Sequence, residues 1–133
     1  MIKDFHAYEQ NNPFMHYNHI QICEAGSEKC VVKVDLVAES KNLHGHIHGG
    51  LLYGMADCAA GVAARVNGDD FVTQSAHINF LHNVRSGTIY ACAEPVKRGG
   101  HMAVFHVSIT DPGNTLLADG VVDMYRINKR NPE

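Results

Sequence analysis

Asn42-Leu-His-Gly-His-Ile-His-Gly-Gly50 leads directly into a long apolar segment, and this junction decides the fold. The segment runs to Arg65 without a proline, and Asp57 is the only other charged residue in it. A helix with so few charges must bury several of its faces. The sequence therefore predicts one long buried helix over residues 49–66, ended by the turn-forming sequence of residues 67–70.

The acid and the start of this helix point to chemistry. A lone carboxylate such as Asp57 is costly inside a buried helix unless it is hydrogen-bonded, paired or used in a reaction. Gly49 and Gly50 leave backbone N–H groups open to a partly negative oxygen at the helix start. An acid and an anion-binding helix start on one element indicate hydrolysis of an acyl compound.

Small residues share one stripe of the predicted helix with this acid. The stripe consists of Gly50, Gly54, Asp57, Gly61 and Ala64. A glycine inside a helix costs about 1 kcal/mol relative to alanine, so these glycines need a reason. They could leave space for a substrate beside the carboxylate, or they could allow close packing of the helix against its neighbours.

The rest of the chain predicts mostly strands. Besides a short helix or irregular lead-in that stops near Pro13 and a polar loop before the long helix, alternating apolar residues predict strands over residues 20–24, 30–38, 71–81, 88–97, 101–110 and 115–127. Short turns between successive strands indicate antiparallel pairing. The fold class is therefore α+β, a single domain over residues 1–133 with an antiparallel sheet packed on one apolar helix.

Composition excludes several classes of protein. The 133 residues are 45% hydrophobic with a net charge of −3, so neither nucleic acid nor a membrane is expected as a partner. The first residues lack the apolar stretch of a signal peptide, and we expect a cytoplasmic protein. The four cysteines are scattered without a Cys-x-x-Cys pair, and we interpret them as reduced thiols.

The pattern Asn-x-x-Gly-x-x-His-Gly-Gly, followed by an acid nine positions after its histidine, resembles the hotdog-fold acyl-CoA thioesterases, most closely the phenylacetate-pathway or PaaI-like branch. The matching residues are Asn42, Gly45, His48, Gly49, Gly50 and Asp57. The strand beginning at Thr73 looks like the family's strand after the helix. The likeness spans roughly residues 30–126, and Asn83 stands where the family often has proline.

This resemblance implies a hotdog fold, in which an antiparallel sheet wraps around one long central helix. It implies hydrolysis of an acyl-CoA to a carboxylic acid and free coenzyme A, with no metal or redox cofactor. Asp57 would act as general base or nucleophile, and the Gly49 N–H would be the oxyanion donor. Asn42 and the helix start of one subunit would meet Asp57 and Thr73 of the other, in a homodimer or dimer of dimers. His48 would support the site, with Gly50 contacting the substrate.

Two further sets of side chains are candidates for substrate contacts. Thr73 and Ser75 are two residues apart, so we expect them to share one strand face, where either hydroxyl could hold a water against Asp57. Thr73 matches the family position, and Ser75 is the reserve. Lys97 and Arg98, at a strand end, could meet the phosphates of coenzyme A or simply form a solvated turn.

Three alternatives remain open. A protein with this fold could bind acyl-CoA without turnover. A hotdog dehydratase could use His48 and Asp57 as its histidine–acid pair. The alternating His44, His46 and His48 could bind a metal ion, because His-x-His chelates zinc, nickel or copper. We favour loop histidines over a metal site, since no matching set of ligands follows at a clear spacing.

Overall fold

The structure is a computed structural model that describes residues 2–128, so residue 1 and residues 129–133 of the predicted domain lie outside it. In chain order the elements are α1 (Phe5–Gln10), α2 (Pro13–Tyr17), β1 (Gln21–Ala25), β2 (Cys30–Asp35), a 3₁₀ turn (Ala38–Ser40), α3 (Gly49–Arg65), β3 (Asp70–Phe80), β4 (Thr88–Arg98), β5 (Met102–Thr110) and β6 (Leu116–Asn128). No helix in this part of the chain is long and apolar enough to cross a membrane.

The six strands form one antiparallel sheet that wraps around α3. Their order across the sheet is β1-β2-β4-β5-β6-β3, and α3 packs against every strand from β2 to β6. The core between helix and sheet is built from apolar side chains with almost no exposure, such as Leu52 and Met55 of α3 and Phe105 of β5. The predicted α+β hotdog fold with its long central helix is confirmed.

The pairing of successive strands was predicted wrongly at one point. A hairpin between β3 and β4 was expected, but β3 pairs with β6, and β4 pairs with β2 and β5. Residues 81–87 instead cross from β3, at one edge of the sheet, to β4 in its interior. As a result β3, which is 11 residues long, forms an edge of the sheet beside the helix.

The expectation that Thr73 and Ser75 share a strand face is also wrong. Thr73 lies opposite Met124 of β6, and Ser75 lies opposite the preceding residue, Asp123, so the register shifts between them. An extra residue of this kind is a β-bulge, and it reverses the alternation of faces. Thr73 therefore faces the helix, whereas the Ser75 hydroxyl donates to the Asp123 carboxylate at 2.8 Å.

Two short elements were missed. The short helix predicted at the start of the chain is α1, and it stops before Pro13 as expected. Pro13 itself begins α2, where its fixed φ and missing N–H are tolerated at the first helical position. The Asn12 side chain accepts from the Met15 N–H at 3.2 Å and so caps this helix. The strand predicted to reach Ala38 ends at Asp35, and a 3₁₀ turn follows, held by a 3.1 Å hydrogen bond from the Val37 N–H to the Ser40 hydroxyl.

Candidate active site

The loop before α3 is closed by the side chain of Asn42. Its Oδ1 accepts the N–H groups of His44 at 2.9 Å and His46 at 3.2 Å, and Gly45 takes the positive φ of 79° that the turn requires. The Asn42 oxygen, predicted to position the thioester or a water, is therefore used to shape the loop within the chain. Asn42 thus shapes the loop that leads to the start of α3.

The start of α3 offers one open backbone donor. His48 caps the helix, and its Nδ1 accepts the Gly50 N–H at 2.8 Å. Because Nδ1 accepts, any proton on the neutral ring is on Nε2. The predicted substrate contact Gly50 thus has its N–H occupied. Among residues 2–128, no hydrogen bond takes the Gly49 N–H, which leaves it free at the positive end of the helix dipole.

The side chain of Asn83, from a distant part of the chain, holds the backbone of this loop. This role was not predicted from the sequence. Its Oδ1 accepts the Ile47 N–H at 3.0 Å, and its Nδ2 donates to the Ile47 carbonyl at 3.2 Å. Ile47 is buried directly before His48. Asn83 therefore fixes the backbone that leads to the open Gly49 N–H. The signal in the sequence was the asparagine at a position where the resemblance implies proline.

Asp57 and Thr73 lie together in a cleft between α3 and β3. The Thr73 hydroxyl donates to Asp57 Oδ1 at 2.5 Å, and Asp57 is half-buried. The cleft has a volume of about 540 Å³ and borders Gly50 and Gly54 as well. Ser75 also lies along it, but its hydroxyl is bound to Asp123 and does not reach Asp57. The hydrogen bond from Thr73 orients the Asp57 carboxylate. No hydrogen bond within residues 2–128 takes Oδ2, which could act on a water or a carbonyl.

The predicted oxyanion donor and the predicted catalytic acid are far apart within one chain. Gly49 and Asp57 are eight residues apart on α3, which is about 12 Å along the axis at 1.5 Å per residue. One thioester carbonyl cannot contact both groups across that distance. The structure therefore brings Asp57 to Thr73 and His48 to Gly50. Gly50 borders the same cleft as Asp57, but the Gly49 N–H lies too far along the helix to share a carbonyl with that carboxylate.

The thiol beside the acid is not a competing nucleophile. Burial, together with the charge of the neighbouring Asp57, raises the pKa of Cys58 to about 12. A thiol is nucleophilic only after it loses its proton. At neutral pH Cys58 therefore remains an unreactive thiol.

The two basic residues proposed for coenzyme A have different surroundings. Arg98 Nη2 donates to the carbonyls of Ser27 at 2.9 Å and Ala63 at 3.1 Å, and the guanidinium lies over the Phe105 ring. Lys97 is exposed, and no side-chain hydrogen bond or ion pair involves it among the residues described. Arg98 thus ties the C-terminal half of α3 to its surroundings, whereas the ammonium of Lys97 is free to meet a phosphate.

The alternating histidines do not converge on a common point. Across residues 2–128, no group of three or more His, Cys, Asp or Glu side chains is arranged to hold a metal ion. His48 uses Nδ1 for the helix start, and the main-chain N–H groups of His44 and His46 bind Asn42. These contacts give the motif a role in building the turn.

Comparison with known proteins now identifies the family. The Thioesterase superfamily matches residues 44–118, more than half of the chain and the whole region from the histidine loop to β6. The chain belongs to the thioesterase superfamily. The predicted resemblance is confirmed.

Three similar proteins support this assignment. The thioesterase is 33% identical to ComA2 of Bacillus subtilis over 103 residues, 74% of this chain and 81% of ComA2. It is 29% identical to the 1,4-dihydroxy-2-naphthoyl-CoA hydrolase of Listeria monocytogenes over 101 residues, 74% and 82% of the two chains. The PaaI protein of the E. coli phenylacetic acid degradation operon superposes with a TM-score of 0.87 at 27% identity, covering 92% of this chain and 90% of PaaI. The protein is a thioester hydrolase.

Proposed function

We propose that the thioesterase hydrolyses acyl-CoA substrates at the cleft between α3 and β3. The observation that supports this most directly is the 2.5 Å hydrogen bond from Thr73 to Asp57, which holds one acid in an accessible cleft. The Listeria relative is named for hydrolysis of a naphthoyl-CoA, so a coenzyme A thioester is the natural class of substrate.

In the proposed reaction the Gly49 N–H donates to the acyl carbonyl and stabilises the negative charge that develops on its oxygen. Asp57 either takes a proton from a water that attacks the carbonyl carbon, or attacks that carbon itself to give a mixed anhydride that water then opens. In both routes the C–S bond breaks, and the products are a carboxylic acid and the free thiol. Thr73 keeps the Asp57 carboxylate oriented throughout.

The site is proposed to be shared between two subunits. Gly49 and Asp57 of one chain are about 12 Å apart, so a partner helix running antiparallel would bring its own Asp57 to this chain's Gly49. The long edge strand β3, which carries Thr73, offers unpaired backbone groups that a second copy could cover. Two equivalent sites would then form about a two-fold axis.

Thiol release tests the substrate class. We expect purified protein to release free thiol from at least one of a set of short, medium, long and aromatic acyl-CoAs, and the release to continue after dialysis against a chelator. If the enzyme cleaves the matching N-acetylcysteamine thioesters but none of the acyl-CoAs, coenzyme A is not part of its substrate. A loss on dialysis that zinc or nickel restores would favour the metal-dependent alternative.

Subunit mixing tests the shared site. Asn42→Ala and Asp57→Ala are each expected to be inactive, and a heterodimer of the two would carry one intact site and one doubly damaged site. Activity should therefore reappear after subunit exchange, with the exchange confirmed by native mass spectrometry. Confirmed heterodimers that stay inactive would mean that each site is built within a single chain.

A further inference from the structure

The ring of Phe14 separates two cavities. On one side is the cleft of about 540 Å³ that contains Asp57 and Thr73. On the other is a cavity of about 670 Å³ that extends from Tyr17 to His48. Phe14 and Gly50 line both cavities, so these two residues form the wall between the cavities.

The cleft that contains Asp57 has a polar end and an apolar end. At the polar end Thr73 binds Asp57. Towards the start of α3, the Tyr53 hydroxyl donates to the Ala76 carbonyl at 2.9 Å, which packs the Tyr53 side chain along β3. Helix and strand run in opposite directions here, since Tyr53 meets Ala76 and Asp57 meets Thr73. A thioester reacting at Asp57 would therefore place its hydrocarbon group towards Tyr53 and Phe14.

A glycine on α3 makes room for the Phe14 ring. A Cβ atom at Gly54 would lie 2.8 Å from both Cε1 and Cζ of Phe14, closer than carbon atoms can approach. Gly54 is three residues before Asp57, or about 4.5 Å along the helix axis. The ring tip thus touches the helix about one turn from the carboxylate, which closes the apolar end at a short distance from the reacting atoms.

The helix that carries Phe14 is held independently of the ring. Met15, its neighbour on α2, is completely buried, and the Asn12 side chain caps the helix. Phe14 itself is 49% exposed. Truncating its side chain is therefore expected to leave α2 in place while it opens the wall.

We propose that Phe14 determines acyl-chain length by ending the acyl site, and that its removal joins the two cavities. The inference rests on the proposed function, since it assumes that acyl-CoA is cleaved at Asp57. Wild-type enzyme then prefers short or compact acyl groups. A long alkyl chain becomes a good substrate only when the ring no longer blocks its path into the larger cavity.

The test measures kcat/KM for butanoyl-, octanoyl- and dodecanoyl-CoA with wild type, Phe14→Ala and Phe14→Leu. One methylene in an apolar pocket changes specificity about tenfold or more, so Phe14→Ala should raise the dodecanoyl-to-butanoyl ratio at least about tenfold. Phe14→Leu should give a smaller rise in the same direction. Tyr17→Ala is the matched control, because Tyr17 is an aromatic residue of the same helix that lines only the larger cavity. Its ratio should stay within about twofold of wild type.

Two results would count against the inference in distinguishable ways. A Phe14→Ala enzyme with wild-type circular dichroism, measurable turnover and an unchanged chain-length ratio would overturn the role of Phe14 alone. The same unchanged ratio in the milder Phe14→Leu variant would do so even if Phe14→Ala failed to fold. Wild-type enzyme that cleaves none of these three acyl-CoAs and no aromatic acyl-CoA, but cleaves thioesters that lack coenzyme A, would overturn the proposed substrate class and this inference with it.

Discussion

The two halves of α3 have similar apolar composition but opposite surroundings. In the first half, residues 49–58, the side chain of Tyr53 is 40% exposed, and Gly54 and Asp57 are half-buried along the cleft. In the second half, every residue from Ala59 to Ala64 is buried. The first half thus presents one face to the cleft, and the second half is enclosed by the sheet.

The glycines show what this difference means. Gly54 in the first half touches the Phe14 ring at the wall of the cleft. Gly61 in the second half does not border the cleft. It makes room for a side chain of the helix itself, because a Cβ there would lie 2.8 Å from Nη1 of Arg65. That guanidinium donates to the Phe71 carbonyl at 2.6 Å and binds Asp70 at 3.2 Å. The small-residue stripe therefore lines the cleft at one end and makes room for the Arg65 anchor of the helix at the other.

The largest expected effect comes from the acid in the first half. Asp57→Asn keeps the size of the side chain but removes the negative charge and the proton acceptor. We expect kcat to fall at least about a hundredfold, the low end for loss of a general base, while circular dichroism and the melting temperature stay near those of wild type. A variant that retains more than about a tenth of wild-type kcat would show that Asp57 is not the essential group.

The matched control is Asp123→Asn. Asp123 is also a half-buried carboxylate bound to a hydroxyl, but its partner is Ser75, beyond the β-bulge on the other face of β3. We expect its kcat to stay within about threefold of wild type. A loss as large as that of Asp57→Asn would mean that the outer face of the sheet takes part in the reaction.

The second half of α3 should respond through stability. Ala60→Leu inserts three carbons at a position with no exposure, and such overpacking typically destabilises a protein by about 1–3 kcal/mol. We expect a lower urea midpoint with little change in kcat for the folded fraction. Ala7→Leu, the same change at an exposed position of α1, should leave the midpoint nearly unaltered. An Ala60→Leu protein of wild-type stability would mean that this half is loosely packed.

Patterns along the chain predicted most of the fold. The charge-poor helix was placed at residues 49–66 and begins at Gly49 as predicted, because the glycines and the capping His48 are adjacent in sequence. Alternating apolar residues located every strand. The partner of β3 could not be predicted, since periodicity reports which face is buried and carries no information on which strand lies beside it.

The candidate site was predictable only where neighbours in sequence are neighbours in space. The helix start and Asp57 were found from the motif, and the resemblance added Thr73. The role of Asn83 depends on a hydrogen bond to Ile47 across 36 positions. The Ser75 side chain lies on the opposite strand face from the one predicted because of a β-bulge, and the alternation of apolar residues in the sequence cannot reveal that bulge. Phe14 reaches Gly54 through a tertiary contact that neither segment predicts by itself.

A smaller effect should separate Arg98 from Lys97. Arg98→Met removes two hydrogen bonds to carbonyls, one of them on Ala63 in the second half of α3, and should lower the free energy of unfolding by about 1–2 kcal/mol. Lys97→Met should leave stability unchanged and raise KM for acyl-CoA, with no effect on the matching N-acetylcysteamine thioester. If Arg98→Met raises KM for acyl-CoA and does not change the urea midpoint, the prediction that Arg98 meets coenzyme A would be supported instead.

The smallest expected effect concerns Cys58, where the two halves of α3 meet. Burial, with the charge of Asp57, raises the pKa of this thiol in the folded chain from 9.0 to about 12. Above pH 9 the unfolded chain can ionise the thiol and the folded chain cannot, so its contribution to stability is complete below pH 9 and is lost as the pH rises towards 12. At pH 10 the loss from this one group is about 1 kcal/mol.

Urea unfolding at pH 7.5 and pH 10 tests this. The free energy of unfolding should fall less between the two pH values for Cys58→Ala than for wild type. Cys23→Ala, a change at an exposed residue, should reduce that fall by a smaller amount. Equal alkaline losses in wild type and Cys58→Ala would mean that this thiol ionises as easily in the folded chain as in the unfolded one, and that the boundary between the two halves is open to water.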